Sequence, residues 1–221
     1  MDDLTLIIPA KDESESLPQV LNELNKFNYK INIVLNKDDH QTINSIKEYK
    51  VNVIYQNNKG YGDALIQGIN HCDTKYFCIF NADGSFNPIE IDEIIKKLKN
   101  DNLDFIFASR YKTNGGSEDD TIITLIGNYF FSAIGKIFFK LNISDILYTF
   151  VIGDTKKAKL LKLKSKDFSF CVELPIKAKK FNLKLDDFPS FERKRIAGKK
   201  KVNAFLDGLK ILISMIKYYL R

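Results

Sequence analysis

Phe80-Asn81-Ala82-Asp83-Gly84-Ser85-Phe86-Asn87-Pro88 decides the reading of this chain, because it sets an oxygen-rich, turn-forming loop between a strand and a helix. Before it, Tyr76 to Phe80 is an unbroken apolar run, the pattern of an interior parallel strand covered on both faces. After it, Ile91, Ile94, Ile95 and Leu98 recur at helical spacing. In an open α/β sheet ligands gather beyond the carboxyl ends of the strands, so Asn81, Asp83 and Ser85 are expected to point oxygens into that crevice. Oxygen donors of this kind suit Mg or Mn. The same residues also make an ordinary turn, with Ser85 or Asn87 available as a helix cap.

Working outward, other strands end in equally polar segments. Leu4 to Ile8 runs into Pro9-Ala10-Lys11-Asp12-Glu13, and Val51 to Tyr55 runs into Asn57-Asn58-Lys59-Gly60-Tyr61-Gly62-Asp63-Ala64. Asp104 to Ala108 ends at Ser109-Arg110-Tyr111, which puts a cation on the same edge as the carboxylates. Strand and helix patterns alternate through residue 108, which predicts an α/β fold with a mostly parallel central sheet flanked by helices. At 221 residues and 44% hydrophobic the chain can bury one full core, and no linker divides it. We read residues 1–201 as the body of one domain and 202–221 as an amphipathic helix.

The order and spacing of these segments resemble the inverting family 2 glycosyltransferases, and among them the dolichol- or polyprenol-phosphate sugar transferases. Ile7-Ile8-Pro9-Ala10-Lys11-Asp12-Glu13 resembles the family's opening, Asn58 to Ala64 its Asn-x-Gly-x-Gly-x-Ala segment, and Asn81-Ala82-Asp83 its Asp-x-Asp motif. Ser109-Arg110-Tyr111 is similar to its Gly-Ser-Arg-Tyr segment, Asp145 to Phe150 to its Asp-x-x-Ser-Gly-Phe segment, and Arg195-Ile196-Ala197-Gly198 to its late Arg-x-x-Gly segment. The resemblance implies a single-domain nucleotide-diphospho-sugar transferase fold that moves a sugar from a nucleotide diphosphate to an acceptor with inversion. It implies donor contacts at Pro9, Ala10, Glu13, Asp38, Asn58, Gly60, Asn81, Ala82 and Asp83, and a metal held by Asn81, Asp83 and Ser85. Arg110, Arg195, Lys200 and Lys201 would meet the acceptor or the phosphates.

The chain departs from the family pattern at several points. Asn81 stands for the first Asp of the metal motif, which keeps a carbonyl oxygen and removes one charge. Asn36-Lys37-Asp38-Asp39 replaces the two Asp residues and Gly-Ser of the family's base-recognition segment. Ser117-Glu118-Asp119-Asp120-Thr121 occupies the region where the polyprenol-phosphate members carry a phosphate-gripping Arg. The acceptor therefore stays open between a polyprenyl phosphate, already ionised, and a saccharide hydroxyl in cell-surface polysaccharide synthesis, for which Asp119, Asp120 or Asp145 would be the general base. A non-catalytic nucleotide-sugar-binding module is the third reading.

The net charge of +6 is unevenly spread. Lys177 to Lys201 holds ten Lys/Arg against Asp186, Asp187 and Glu192, a net of +7, which leaves −1 for the rest. With no recognised nucleic-acid motif, this patch is expected to meet phosphates or a membrane surface rather than nucleic acid. Beyond it, Asn203, Asp207, Lys210, Ser214, Lys217 and Arg221 fall on one helical stripe opposite a broad apolar face, which fits a membrane surface, the domain's own core or a homodimer contact. A second helix is predicted over Thr124 to Leu141, with Asn128, Ser132, Lys136 and Lys140 as its polar line. The start carries no signal-segment pattern, so a cytoplasmic protein, peripheral on the membrane, is expected. Cys72, Cys78 and Cys171 lack metal spacing and read as reduced core thiols.

Overall fold

The computed structural model describes residues 3–198 and 201–220. The amino-terminal half alternates strictly: β1 (Leu4–Pro9), α1 (Leu17–Leu24), β2 (Lys30–Leu35), α2 (His40–Ser45), β3 (Asn52–Tyr55), α3 (Tyr61–Asn70), β4 (Tyr76–Ile79), α4 (Glu90–Asn100) and β5 (Phe105–Ser109). A two-residue strand, β6 (Gly116–Ser117), precedes the long α5 (Ile122–Phe139). There follow β7 (Val151–Asp154), α6 (Thr155–Leu160), α7 (Phe170–Lys180), β8 (Leu185–Pro189), the short β9 (Phe191–Glu192) and α8 (Ala204–Tyr219).

Seven strands form one sheet in the order β3-β2-β1-β4-β7-β5-β8. All pairings are parallel except those of β7, which runs antiparallel between β4 and β5. Six carboxyl ends therefore share one edge, as the sequence pattern predicts. The insertion of β7 is the feature that alternation alone does not reveal.

The sheet is covered on both faces. On one side Leu17, Val20, Leu21 and Leu24 of α1 and Ile91, Ile94 and Leu98 of α4 pack on Leu6, Ile8, Phe80 and Phe150. On the other, α3, α6 and α7 pack on Ile7, Phe77, Phe105 and Phe107, with Ile211 and Met215 of α8 at the margin. Each wholly buried Phe or Ile contributes about 1.5–3 kcal/mol relative to exposure. Local signals agree with this packing. Helix α4 carries Glu90, Asp92 and Glu93 in its first turn and Lys97 and Lys99 in its last, the polarity that the helix dipole favours. Cys72, Cys78 and Cys171 are buried and free.

Helix α5 starts two residues earlier than expected, because Thr121 and Thr124 cap its end reciprocally, and it stops at Lys140, which adopts a left-handed conformation. Its orientation, which the spacing leaves open, is set by its polar line: Asn128 and Ser132 face the protein, where Asn128 Nδ2 donates to the Tyr111 hydroxyl at 2.7 Å and Ser132 Oγ accepts the Ile146 N–H at 3.1 Å.

Candidate active site

The site is built where β1, β2 and β4 end. Past Pro9 and buried Ala10, Glu13 donates its N–H to Thr42 Oγ1 at 2.9 Å and accepts Ser16 Oγ at 2.6 Å. Its other oxygen pairs with Lys201. Asp39 caps α2 through Thr42 N and takes the Asp12 N–H at 2.8 Å, so one carboxylate ties the β1 and β2 loops together. Asp12 is left-handed there, at φ 51°, a conformation Asp tolerates better than most residues. Asp38 beside it stays exposed.

The loop after β4 folds on itself. Asp83 Oδ1 accepts the Ser85 N–H at 3.0 Å, Asn81 Oδ1 accepts the Phe86 N–H at 3.3 Å, and Asn81 Nδ2 bonds Ser85 Oγ. Gly84 is at φ 80° with Ile196 so close that a Cβ would overlap it. The chain after β9 lies along this loop, donating Arg193 N–H to Ser85 O and Ile196 N–H to Asp83 O, both at 2.8 Å. That apposition brings Arg195 between Asp83 Oδ2 at 3.4 Å and Asp119 Oδ2 at 2.9 Å. Burial acts to lower the Arg195 pKa, but Asp119 and Asp83 outweigh it and raise it, so the cation stays charged.

Arg110, at the end of β5, occupies a different environment. Its Nε and Nη2 bind Asp145 at 2.7 and 3.0 Å, and Nη1 reaches Glu192 at 3.1 Å and Asp120 at 3.3 Å. The guanidinium lies 4.6 Å from the Tyr148 ring centroid. Burial alone would lower the Arg110 pKa, but Asp145 and Glu192 raise it, while burial pushes both carboxyls above their ordinary range against the pull of Arg110. One arginine shared by three carboxylates does not offset the burial of Asp145 and Glu192, and Asp120 adds a smaller upward push to both. Ser117 Oγ adds a 2.5 Å bond to Glu192 and caps the turn by accepting the N–H groups of Asp119 and Asp120.

These contacts correct several expectations. Asp145 has no side-chain exposure and Asp120 little, and both are engaged by Arg110, so neither is placed as a general base. Arg110 is itself enclosed and holds the acidic loop instead of meeting an acceptor. Ser85 is buried with its hydroxyl on Asn81, which removes it from the metal ligands. Gly60 and Gly62 serve packing: a Cβ at Gly60 would overlap Lys166 O, and one at Gly62 would overlap Ser165 O. Asn58 donates its N–H and its side-chain amide to the Asp63 carboxylate, at 3.2 and 3.0 Å. Ala82 is a core residue whose backbone carries the loop. Lys200 lies outside the described residues. Asp83, Asn81, Glu13, Asp119, Arg195 and Lys201 remain around the crevice.

Sequence reasoning passed over Glu192 and Glu173. Glu192 is a lone carboxylate amid lysines and arginines, a weak signal of an internal partner. Glu173 is wholly buried and accepts the N–H groups of Lys164 at 2.9 and 3.0 Å and Ser165 at 2.6 Å, fixing the loop that presses on Gly60 and Gly62. Burial would raise its pKa, but Lys177 and those N–H groups hold it below the usual range.

Whether this crevice fits a metal follows from its donors. Among the described residues no group of three His, Cys, Asp or Glu side chains could hold an ion. Asp83 is the one carboxylate of the loop, and a hard divalent ion that keeps its waters needs only one or two carboxylates when a diphosphate supplies the rest. The residues therefore fit an ion that arrives with a diphosphate, held by Asp83 and the Asn81 carbonyl.

A sheet with its strand ends aimed at such a crevice, one metal-competent carboxylate and cations laid across it, has the architecture of a nucleotide-sugar-dependent transferase. The chain belongs to the glycosyl transferase family 2, whose pattern matches residues 5–160. It is 26% identical over 210 residues, 83% of each chain, to a UDP-N-acetylglucosamine–dolichyl-phosphate N-acetylglucosaminyltransferase of Methanococcus voltae. An uncharacterized protein of Methanocaldococcus jannaschii is 24% identical over 223 residues, covering 97% of this chain and 91% of its own. Among solved structures, glucosyl-3-phosphoglycerate synthase of Mycobacterium tuberculosis bound to UDP superposes with a TM-score of 0.77 at 8% identity, over 99% of this chain and 80% of that one. The same synthase with Mn2+, UDP and glucosyl-3-phosphoglycerate gives 0.69 at 10% identity, over 98% and 80%. These likenesses establish the fold.

Proposed function

We propose that this glycosyltransferase moves a sugar from a nucleotide-diphosphate donor to a polyprenyl-type lipid phosphate, with inversion at the anomeric carbon. One observation bears on the acceptor: Asp119 and Asp120 of the 117–120 loop are ion-paired from within. Asp120 is on Arg110 and Asp119 on Arg195, while Glu118 accepts the Lys194 N–H at 3.3 Å. Carboxylates paired in this way offer no free base, and an ionised phosphate needs none. The Methanococcus voltae relative, named for a dolichyl-phosphate acceptor, supports the same class.

In this reading Glu13 and exposed Asp38 line the nucleoside end, and Asp83 with Asn81 marks the diphosphate. A divalent ion bound with the donor would offset charge growing on the leaving diphosphate. Arg195 would trade Asp83 for a diphosphate oxygen and Lys201 would trade Glu13 in the same way, which would bring both cations to the charge that develops as the sugar–oxygen bond breaks. The acceptor phosphate oxygen attacks the anomeric carbon from the opposite side and keeps the sugar, and the nucleoside diphosphate departs with the bonding electrons.

The test is a panel of labelled nucleotide sugars with polyprenyl phosphate, with and without Mn. Label should partition into organic solvent and be released by mild acid, as a sugar phosphodiester is. Label in an acid-stable glycoside would replace this reading with a hydroxyl acceptor, and donor binding by thermal shift without turnover would replace it with a binding module.

A further inference from the structure

A groove of about 320 Å³ lies between the loop that leads into α7 and the outer half of α8, and no residue of the crevice lines it. Ser165, Asp167 and Ser169 form one wall, and Lys210, Ser214 and Lys217 the other. The volume falls at the small end of ligand sites, which run from about 300 to 1,000 Å³. Its polar groups lack internal partners. Ser169 is 5% exposed, yet among the described residues its hydroxyl makes no hydrogen bond, and the same holds for the hydroxyls of Ser165 and Ser214. A hydroxyl taken out of water costs free energy unless it is bonded, so the partner of Ser169 must come from the groove. Lys217 has no ion pair among the described residues, and Lys210 meets Asp207 only at 3.4 Å while 56% exposed, a contact of little value.

Both walls are held from behind. Glu173 accepts the N–H groups of Lys164 and Ser165, Lys166 O accepts the Asp63 N–H at 3.1 Å, and Phe168 stacks on Tyr61 at 5.0 Å between ring centroids. Helix α8 is anchored by buried Ile211 and Met215, and its Tyr218 side chain hydrogen-bonds to Glu173, which joins the two walls. The hydroxyls therefore stand in place before a ligand arrives, and little ordering is left to offset its binding.

We infer that this groove binds a small phosphorylated polyol, at a site separate from the crevice. Two ammonium groups and three hydroxyls are all hydrogen-bond donors, the set that a phosphate with its acceptor-only oxygens requires. Asp167 adds the second half of the selection. Its Oδ1 accepts the Ser169 N–H at 2.9 Å, and its Oδ2 makes no hydrogen bond among the described residues. A carboxylate beside a phosphate opposes a bare anion, but it accepts a hydroxyl carried on the same molecule, so a phosphate on a polyol satisfies both. The inference holds for any acceptor that the transferase uses, since the two sites share no residue.

Amide chemical shifts of the full chain, titrated with glycerol 3-phosphate in the absence of donor, test it. Saturable shifts should centre on residues 165–169 and 210–218, and inorganic phosphate should bind there more weakly because it has no polyol hydroxyl for Asp167. Lys210→Gln/Lys217→Gln should weaken binding by roughly tenfold or more, at the contribution expected for hydrogen bonds to a charged group. Ser169→Ala should weaken it roughly threefold or more with the thermal midpoint kept, because its hydroxyl has no internal partner to lose. Ile213→Glu, at an exposed position on the groove, should abolish it, while Arg195→Gln in the crevice should leave these shifts as they are. Shifts that fail to saturate in the millimolar range, or that fall on the crevice and vanish in Arg195→Gln, overturn the proposal. So does equal binding of inorganic phosphate, which would mean an adventitious ion only, and so does a stronger response at these residues to dihexanoyl phosphatidic acid, whose glycerol has no free hydroxyl.

Discussion

Replacing Arg110 by Met should damage stability before it damages chemistry. The guanidinium is 8% exposed and is the ion-pair partner of Asp145 and Glu192, whose side chains are 0% and 11% exposed. Breaking a buried pair by removing one member costs about 3–5 kcal/mol, because the other charge stays buried without compensation. For a chain of this size 1 kcal/mol moves the thermal midpoint by about 2–4 °C, so a drop of roughly 6–20 °C is expected. The loss should depend on pH with a definite sign. Burial already raises the Asp145 and Glu192 pKa values, and without Arg110 they rise further. A carboxyl whose folded pKa exceeds its unfolded value binds more protons when folded, so its stability contribution is complete below the unfolded pKa and declines as pH climbs through the folded one. The midpoint deficit of Arg110→Met should therefore be largest near neutrality and shrink in mild acid. Arg110→Met/Asp145→Asn/Glu192→Gln should recover much of the loss. Differential scanning fluorimetry across pH measures all of this. A midpoint within about 2 °C of wild type at neutral pH, with turnover lost, would mean that Arg110 is a free phosphate grip and that the enclosed network is wrong.

Asp83→Ala should abolish transfer and the Mn-dependent part of donor-induced thermal stabilisation while circular dichroism is unchanged; full turnover at saturating donor would remove Asp83 from the mechanism. Ser132→Ala leaves the Ile146 N–H without its acceptor and should cost about 1–3 kcal/mol in a urea titration, whereas Ile126→Ala on the outer face of the same helix should cost less than about 0.5 kcal/mol. Gly62→Ala forces a Cβ into Ser165 O, a backbone atom that cannot turn aside, and should cost at least about 1–3 kcal/mol by the same titration. Glu173 has a lowered pKa, so its contribution is present above the unfolded value and fades as pH falls through the folded one. Glu173→Gln should lower the midpoint at neutral pH and flatten the acid limb of the stability curve.

What the sequence determined by itself was local. An apolar run ending in Asn-x-Asp-Gly, followed by isoleucines at helical spacing, makes strand, loop and helix by interactions within a few residues, and β4, Asp83 and α4 stand where that pattern placed them. Periodicity also grouped Asn128 with Ser132 on one face of α5. It could not say which way that face points, since both orientations have the same spacing; the choice is made by Tyr111 and Ile146, whose partners are supplied only when the chain returns. The insertion of β7 between β4 and β5, the enclosure of Arg110 by residues as distant as Glu192, and the turning of Arg195 onto Asp83 were decided in the same way. A charge or a hydrogen-bonding group declares its chemistry in the sequence, but its availability depends on what is brought within a few ångströms, and that is fixed by tertiary packing.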